Sequence, residues 1–273
     1  MVESGMSSDA QPAQSVLSAT AAVTIFTLTG FILAGWAALY AALPPGLPDA
    51  RAIWAALCQP VSTPATFWLG YQAALAVWLP MVPAMMLPSA IPMALAFADR
   101  IERRGGTVRP VLLLIGYLGV WLIAAAILAL IQTLGSGALA QLRLPEKALG
   151  IMGGFAIGMA GLWQFAPLKQ LSLAVCRHDF SDVTERPGFY ETFRLGVGQG
   201  LACIGCCWVL MLAAAAAGAM NLVWMAILAA VMTAEKMIGP RATAPLGLLL
   251  IAIGVGLAIS AVGPAALRTY WLG

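Results

Sequence analysis

The chain has 273 residues, of which 62% are hydrophobic and only 9% are charged. Soluble domains carry about 25% charged residues, so this composition predicts an integral membrane protein and leaves no segment for a water-soluble domain. The formal net charge of +3 is spread over the loops between apolar runs, which indicates membrane topology and excludes a basic nucleic-acid-binding surface.

Apolar runs long enough to cross a hydrocarbon core of about 30 Å predict an all-α, polytopic transmembrane helix bundle of about seven spans. The predicted spans cover residues 16–42, 66–98, 110–134, 148–170, 194–218, 220–236 and 243–264. We expect one helical domain, 16–264, between a disordered N-terminal tail, 1–15, and a short C-terminal tail, 265–273. The first run is too long for a signal-peptide core, so it is interpreted as a retained helix. Only GAMN separates the fifth and sixth spans, which predicts either a tight hairpin or a partly inserted segment.

The second span contains Pro80, Pro83, Pro88 and Pro92. Each proline removes a backbone donor and clashes with the carbonyl four residues earlier, so we expect a kinked or locally unwound helix. Irregular backbone at membrane depth is tolerated only where it is buried in protein or lines a cavity. The segment 81–93 is therefore the predicted wall of a cavity. Prolines that merely shape a packed helix are an equally weighted alternative.

The distribution of basic residues predicts the orientation, because basic loops are retained on the cytoplasmic side. Alternation of seven spans places one set of basic residues together: Arg100, Arg103, Arg104, Arg109, Arg177, Arg186, Arg194, Lys236 and Arg241. The smaller opposite set is Arg51, Arg143, Lys147 and Arg268. The sequence thus predicts a cytoplasmic N-terminus and a periplasmic C-terminus.

The fifth span concentrates sulfur, with Cys203, Cys206, Cys207 and Met211. At 100° per residue, Cys203, Cys207 and Met211 fall within a sector of about 80°, and Cys206 lies about 60° to the other side of Cys203. In the second span Met81 and Met85 share one side, and we expect Met86 and Met93 to face elsewhere. Near the start of the sixth span, within reach of the fifth, are Met220 and Met225.

Glycine pairs mark predicted close contacts between helices. The fourth span holds Gly154 and Gly158, and the fifth holds Gly196 and Gly200. The G-x-x-x-G spacing lets two backbones approach closely, so we expect tight packing at both places. The second pair shares the sector of Cys203.

Thiolate and thioether ligands select Cu(I) over harder ions, and such sites need few charged or imidazole partners. The single histidine, His178, falls in a predicted loop, which excludes a histidine-rich zinc, di-iron or haem site inside the membrane on ligand count. Buried cysteine and methionine are also ordinary packing residues, so protonated, inert thiols remain the alternative.

Polar residues within spans are a second signal, because they usually face a bundle interior or a cavity. The candidates are Gln164, Lys169 and Asn221. Lys169 lies near the end of its span, where snorkelling to the interface is the favoured interpretation. Glu235 and Lys236 are interpreted as solvated anchors at the interface.

Four elements appear in order over most of residues 78–236: WLPMVPAMMLPSAIP, GLWQFAPLKQLSLAVCR, GQGLACIGCCWVLM and GAMNLVWMAILAAVMTAEK. On these elements the chain resembles a bacterial family of predicted metal-binding integral membrane proteins, a domain of unknown function. The resemblance implies an inner-membrane location and a ligand set of Met81, Met85, Met86, Cys203, Cys206, Cys207, Met211, Met220, Asn221 and Met225. Ser172 stands where a further cysteine is expected, which weakens any site near Cys176. We interpret the segment 176–179 as a cytoplasmic end-cap.

Two functions follow as hypotheses. The first is an inner-membrane protein that binds a soft metal, copper(I), through methionine and cysteine for metal handling or delivery. The second is a non-catalytic structural or assembly subunit of a larger membrane complex, and a transporter for a small apolar molecule stays open behind both. An intrinsic enzyme is least supported, because no nucleophile with a nearby base is identified. Expected partners are the lipid bilayer and other membrane subunits or a metallochaperone, and not nucleic acid.

Overall fold

The protein is a helical bundle, described here by a computed structural model over residues 19–41, 67–102, 108–142, 145–177, 180, 187–216 and 222–271. Within these ranges all regular secondary structure is helical, which confirms the predicted fold class. The helices in chain order are α1 (Ala19–Ala41), α2 (Phe67–Met81), a π-helical turn (Val82–Met86), α3 (Leu87–Glu102), α4 (Val108–Leu142), α5 (Glu146–Trp163), α6 (Pro167–Cys176), α7 (Phe189–Ala216), α8 (Leu222–Ile238) and α9 (Pro240–Trp271). The predicted tail 1–15 lies outside the described residues.

Several of these helices suit a membrane. In the described part of the chain, five helices are long and apolar enough to cross one, and α5 with α6 makes a sixth candidate if this bent pair is a single span. Large apolar side chains are exposed along the outer surfaces of α1, α4 and α9, for example Phe26, Ile123 and Leu248. Extended exposed apolar surface is typical of a membrane-facing protein.

The predicted irregularity in the second span is a π-helical turn. Regular α-helix ends at Met81, and Val82–Met86 winds more widely before α3 begins at Leu87. The prolines around this turn lack the amide hydrogen that an α-helix uses, and π-turns are inserted into helices at such places, often beside functional sites. Phe67–Asp99 nevertheless remains one candidate span.

The fourth predicted span, 148–170, is not one straight helix. α5 ends at Trp163, α6 begins at Pro167, and the two helices are bent by 65°. A residue before proline is pushed out of the helical region, and Ala166 is extended with φ −66° and ψ 136°. Pro167 itself is well suited to the first position of the new helix. The bend lets α6 pack against α7.

The C-terminal ends of three helices meet at one end of the bundle. α3, α6 and α8 all finish there: Phe180, after α6, packs edge-to-face on Phe97 of α3 with ring centroids 5.4 Å apart. Gly239, between α8 and α9, has φ 87°, and Arg177 packs against its Cα. The loops that follow these helices are those that the sequence places on one side, and we call this end the basic end.

The centre of the bundle is formed by α3, the π-turn, α4, α7 and α8. The π-turn and α3 pack against α1, α4 and α8, and α4 packs along α7. α7 in turn contacts α5 and α6, whereas α9 packs mainly on α5 at the periphery. Trp78, Phe97, Tyr117 and Trp121 fill the centre and are at most 1% exposed.

Both predicted glycine pairs lie at helix contacts. A Cβ on Gly154 would stand 2.6 Å from the carbonyl oxygen of Gly254, so α5 and α9 touch through their backbones. Gly196 and Gly200 similarly allow α7 to approach α4, where Gly196 contacts the carbonyl of Leu113. A Cβ on Gly158 would meet nothing within 4 Å.

Gly154→Ala should therefore destabilise the protein, because the added methyl forces α5 away from α9. Overpacking of this kind costs about 1–3 kcal/mol. Gly158→Ala is the matched control in the same helix and should leave the thermal unfolding temperature in detergent unchanged. Equal losses in the two variants would contradict a backbone contact at Gly154.

Candidate metal site

Three thiols gather on α7. The Sγ atoms of Cys203, Cys206 and Cys207 all lie within 4.8 Å of one another, and each residue is at most 2% exposed. Positions i, i+3 and i+4 are neighbours on one face of an α-helix, which is why this sequence spacing brings the sulfurs together. The arrangement is compatible with binding of a metal ion. We call these three residues the cysteine cluster.

Two of the thiols are held by the backbone of their own helix. The thiols of Cys206 and Cys207 donate to the carbonyl oxygen of Cys203 at 3.1 and 2.8 Å. Both side chains therefore fold back over the preceding turn toward Cys203. The Cys203 sulfur is left to interact with other helices.

A closed ring of hydrogen bonds joins the Cys203 sulfur to three other helices and the π-turn. The Nζ of Lys236 lies 2.9 Å from Cys203 Sγ and 2.8 Å from Ser89 Oγ. Ser89 Oγ donates to the Met86 carbonyl at 2.8 Å. Tyr117 Oη completes the ring, 3.2 Å from the same carbonyl and 3.1 Å from Cys203 Sγ. We call this network the lysine ring.

The lysine ring makes Cys203 an acceptor. Lys236 brings an ammonium group, which has only donors, to the sulfur. A buried charge is costly unless it is paired, so the ammonium favours negative charge on the sulfur. The geometry therefore favours a thiolate at Cys203.

The interpretation of Lys236 and Glu235 as solvated anchors is wrong. Lys236 is 9% exposed and Glu235 only 3% exposed, although both lie in the last turn of α8. α8 packs against α3 and the π-turn, so its last turn faces protein. The flexible lysine stem then reaches inward to Cys203 instead of outward to the interface.

Lys169 is also directed inward, which corrects the snorkelling interpretation. It is fully buried, and its Nζ donates at 2.7 Å both to Glu235 Oε2 and to the Cys206 carbonyl. The bend before Pro167 turns this stretch of chain across α7. Lys169 therefore joins α6, α7 and α8 immediately beside the cysteine cluster.

Cys176 lies at the cluster and not in a surface cap. It is half-buried at the end of α6 and packs against the core that contains Cys203, Cys206 and Cys207. One turn earlier Ser172 is buried where α6 crosses α7, and a Cβ on Gly205 would stand 3.2 Å from its Cβ. The i, i+4 spacing of Ser172 and Cys176 is the signal that places both on this face.

The methionines occupy the same apolar core as the cysteines. At most 2% of the side chain is exposed for the predicted ligands Met81, Met85, Met86, Met211 and Met225, and the same holds for Met232 of α8. Met86 and Met93, which we expect on other sides of the second span than Met81 and Met85, are buried as well, at 1% and 6% exposed. The π-turn and α3 are surrounded by α1, α4 and α8, so more than one of their faces is buried. Met220 and Asn221 lie outside the described residues.

Gln164 is buried, as its sequence position suggests, but it lies at the contact with α9 and not at the cysteine cluster. It lies at the bend between α5 and α6, and a Cβ on Gly247 of α9 would stand 3.0 Å from its Cβ. Its backbone carbonyl accepts from Gln170 at 2.8 Å. The residue therefore belongs to the packing of the bend against α9.

The family model described as PpoB2, copper chaperone, matches residues 75–257. The matched segment runs from α2 into α9 and contains the cysteine cluster, Lys169 and the lysine ring. No curated protein and no solved structure matches the chain.

Lys169→Met should destabilise the protein strongly, because it leaves the Glu235 carboxylate buried without its cation. Loss of one partner of a buried ion pair costs about 3–5 kcal/mol. Adding Glu235→Leu removes the unpaired carboxylate and should restore most of the lost free energy of unfolding. Thermal unfolding in detergent measures both effects.

The control is Lys147→Met, which removes an exposed lysine of α5 and should leave the unfolding temperature unchanged. An unfolding temperature for Lys169→Met equal to that of this control would show that the buried pair contributes nothing to the fold.

Proposed function

Because the chain belongs to the PpoB2 family of copper chaperones, we propose that it binds copper as Cu(I) inside a membrane and passes the ion to an acceptor. The observation that supports this most directly is the cysteine cluster, three buried thiols within 4.8 Å of one another. Sulfur ligands in a water-poor site favour a soft monovalent cation over harder ions.

The donor set favours Cu(I) over zinc. Structural zinc sites hold the ion tetrahedrally with four protein ligands, most often cysteine and histidine. The cluster offers three thiols, and the single histidine of the chain, His178, lies outside the described residues. Low-coordinate Cu(I) is satisfied by two or three sulfurs, so it does not require a histidine.

The charges around the cluster suit Cu(I) bound by two thiolates. Such a unit has a net charge of −1, which an apolar core tolerates only beside a cation. Lys236 supplies that cation at Cys203, whereas Lys169 is already neutralised by Glu235. The bound ion and its surroundings would then be electrically neutral as a whole.

Methionine thioethers would complete the site. They are neutral soft donors, so they add coordination without adding charge. Met86 is the best placed of them, because its carbonyl belongs to the lysine ring, and Met85 is its neighbour in the π-turn. We assign the same role to Met81, Met211, Met220 and Met225.

The proposed location is a bacterial inner membrane, with the N-terminus in the cytoplasm and the C-terminus in the periplasm. The meeting of the ends of α3, α6 and α8 at the basic end supports this orientation, because the basic residues that follow these helices in the sequence favour the cytoplasmic side. A chaperone so placed would receive or deliver copper at the basic end.

The Cys203→Ser, Cys206→Ser, Cys207→Ser triple variant should lose bound copper, because hydroxyls do not replace thiolates for a soft ion. The measurement is the copper content of anaerobically purified protein loaded with Cu(I). Cys58→Ser is the control and should bind as the unaltered protein does. Undiminished copper in the triple variant would refute the thiol site. A copper-free parent protein that co-purifies with a partner in fixed ratio would favour the assembly-subunit hypothesis.

Met85→Leu with Met86→Leu should weaken Cu(I) binding about tenfold, which corresponds to about 1.4 kcal/mol, and should leave the stoichiometry unchanged. Leucine conserves volume but lacks the thioether sulfur. Competition with a chromogenic Cu(I) chelator gives the dissociation constant. Met159→Leu, at an exposed position of α5, is the matched control. If the double variant and Met159→Leu bound Cu(I) with the same affinity, the π-turn methionines would have a packing role only.

A further inference from the structure

A cavity of about 320 Å³ lies between α3, α6 and α8 at the basic end. Its lining changes from exposed to buried along its depth. Met237, 65% exposed, and the exposed Arg177 stand at its mouth, whereas Ser89 and Lys236 are 4% and 9% exposed. The cavity therefore leads from the surface toward the lysine ring.

The inner end of the cavity reaches the cysteine cluster. Lys236, which lines the cavity, contacts Cys203 Sγ at 2.9 Å. Cys176 also lines it, and packs against the core that contains the cysteine cluster. A ligand inside the cavity thus meets the Cys176 sulfur before it meets the cluster.

The lining combines positive charge with soft donors. Arg177 and Lys236 are cationic, and no acidic side chain lines the cavity among the described residues. Met93, Cys176 and Met237 add sulfur. Arg177 is packed against the turn at Gly239, so its charge is kept at the mouth. Such a passage repels a free cation and attracts an anion that carries a soft metal.

We propose that this cavity is the portal through which the cysteine cluster receives copper, and that its substrate is an anionic Cu(I)–thiolate complex of a small molecule. The inference rests on the proposed function, since it presumes that the cluster binds Cu(I). The volume lies at the lower end of the range for small-molecule sites, which suits a low-molecular-weight thiol.

Copper enters by ligand exchange without a redox step. The Cys176 sulfur forms a bond to copper of the bis-thiolate complex, one donor thiolate leaves, and that thiolate takes the proton of the Cys176 thiol. Copper stays Cu(I), and the complex keeps its charge of −1, balanced by Arg177 and Lys236. The Cys203 thiolate then displaces the second donor, which leaves as a thiolate. Cys206 finally displaces Cys176 and passes its proton to the Cys176 sulfur, so copper remains bound by Cys203 and Cys206 with an unchanged charge of −1.

The test compares loading rates from two Cu(I) donors, the anionic glutathione complex and the cationic acetonitrile complex. Arg177→Glu should slow loading from the glutathione complex by about tenfold or more, because a negative side chain at the mouth repels an anionic complex. It should not slow loading from the acetonitrile complex, which is a cation. Cys176→Ala should slow loading from glutathione similarly. The final copper stoichiometry should stay unchanged in both variants.

Arg194→Glu is the matched control, since this exposed arginine near the start of α7 does not line the cavity. The portal would be overturned if Arg177→Glu changed the loading rates from both donors by the same factor. It would also be overturned if the loading rates of Arg177→Glu equalled those of Arg194→Glu. Loading at an undiminished rate from a thiol tethered to dextran would overturn the small-molecule source. Failure of the unaltered protein to bind copper from either donor would instead refute the proposed function.

Discussion

The contact between the Lys236 ammonium and the Cys203 sulfur is the constraint on which the centre of this protein depends. An ammonium inside an apolar bundle is costly unless a negative or strongly polar group faces it. Cys203 and Ser89 meet that requirement from two different helices, and Tyr117 and the Met86 carbonyl close the ring from α4 and the π-turn. The interaction that prepares the sulfur is therefore also one that fixes the helices around it.

The two buried lysines, Lys169 and Lys236, have different electrostatic roles. Lys169 is neutralised by Glu235 and tied to the Cys206 carbonyl, so it braces the helix that carries the cluster. Lys236 then remains as the cation that faces sulfur. The separation of the two roles explains how so few charges can both stabilise the bundle and suit a monovalent soft ion.

Backbone irregularities are found where the site is assembled. The π-turn at Val82–Met86 provides the carbonyl of the lysine ring, and the bend before Pro167 turns α6 so that Lys169 bonds to α7 and Cys176 packs against the core beside it. Gly239, in a left-handed conformation, ends α8 and accommodates Arg177. Each departure arises from proline or glycine, and natural proteins place such departures at functional sites.

The sequence by itself determined the helical class, the approximate helices and the grouping of Cys203, Cys206 and Cys207, because apolar run length and the 3.6-residue period leave little freedom in these features. It did not determine the direction of Lys169 and Lys236. A long cationic side chain near the end of a span has two favourable solutions, the interface or a buried partner, and local sequence does not distinguish them. The tertiary structure decided the direction of both lysines. Packing of the bend between α5 and α6 placed Lys169 beside Glu235, and packing of α8 placed Lys236 beside Cys203.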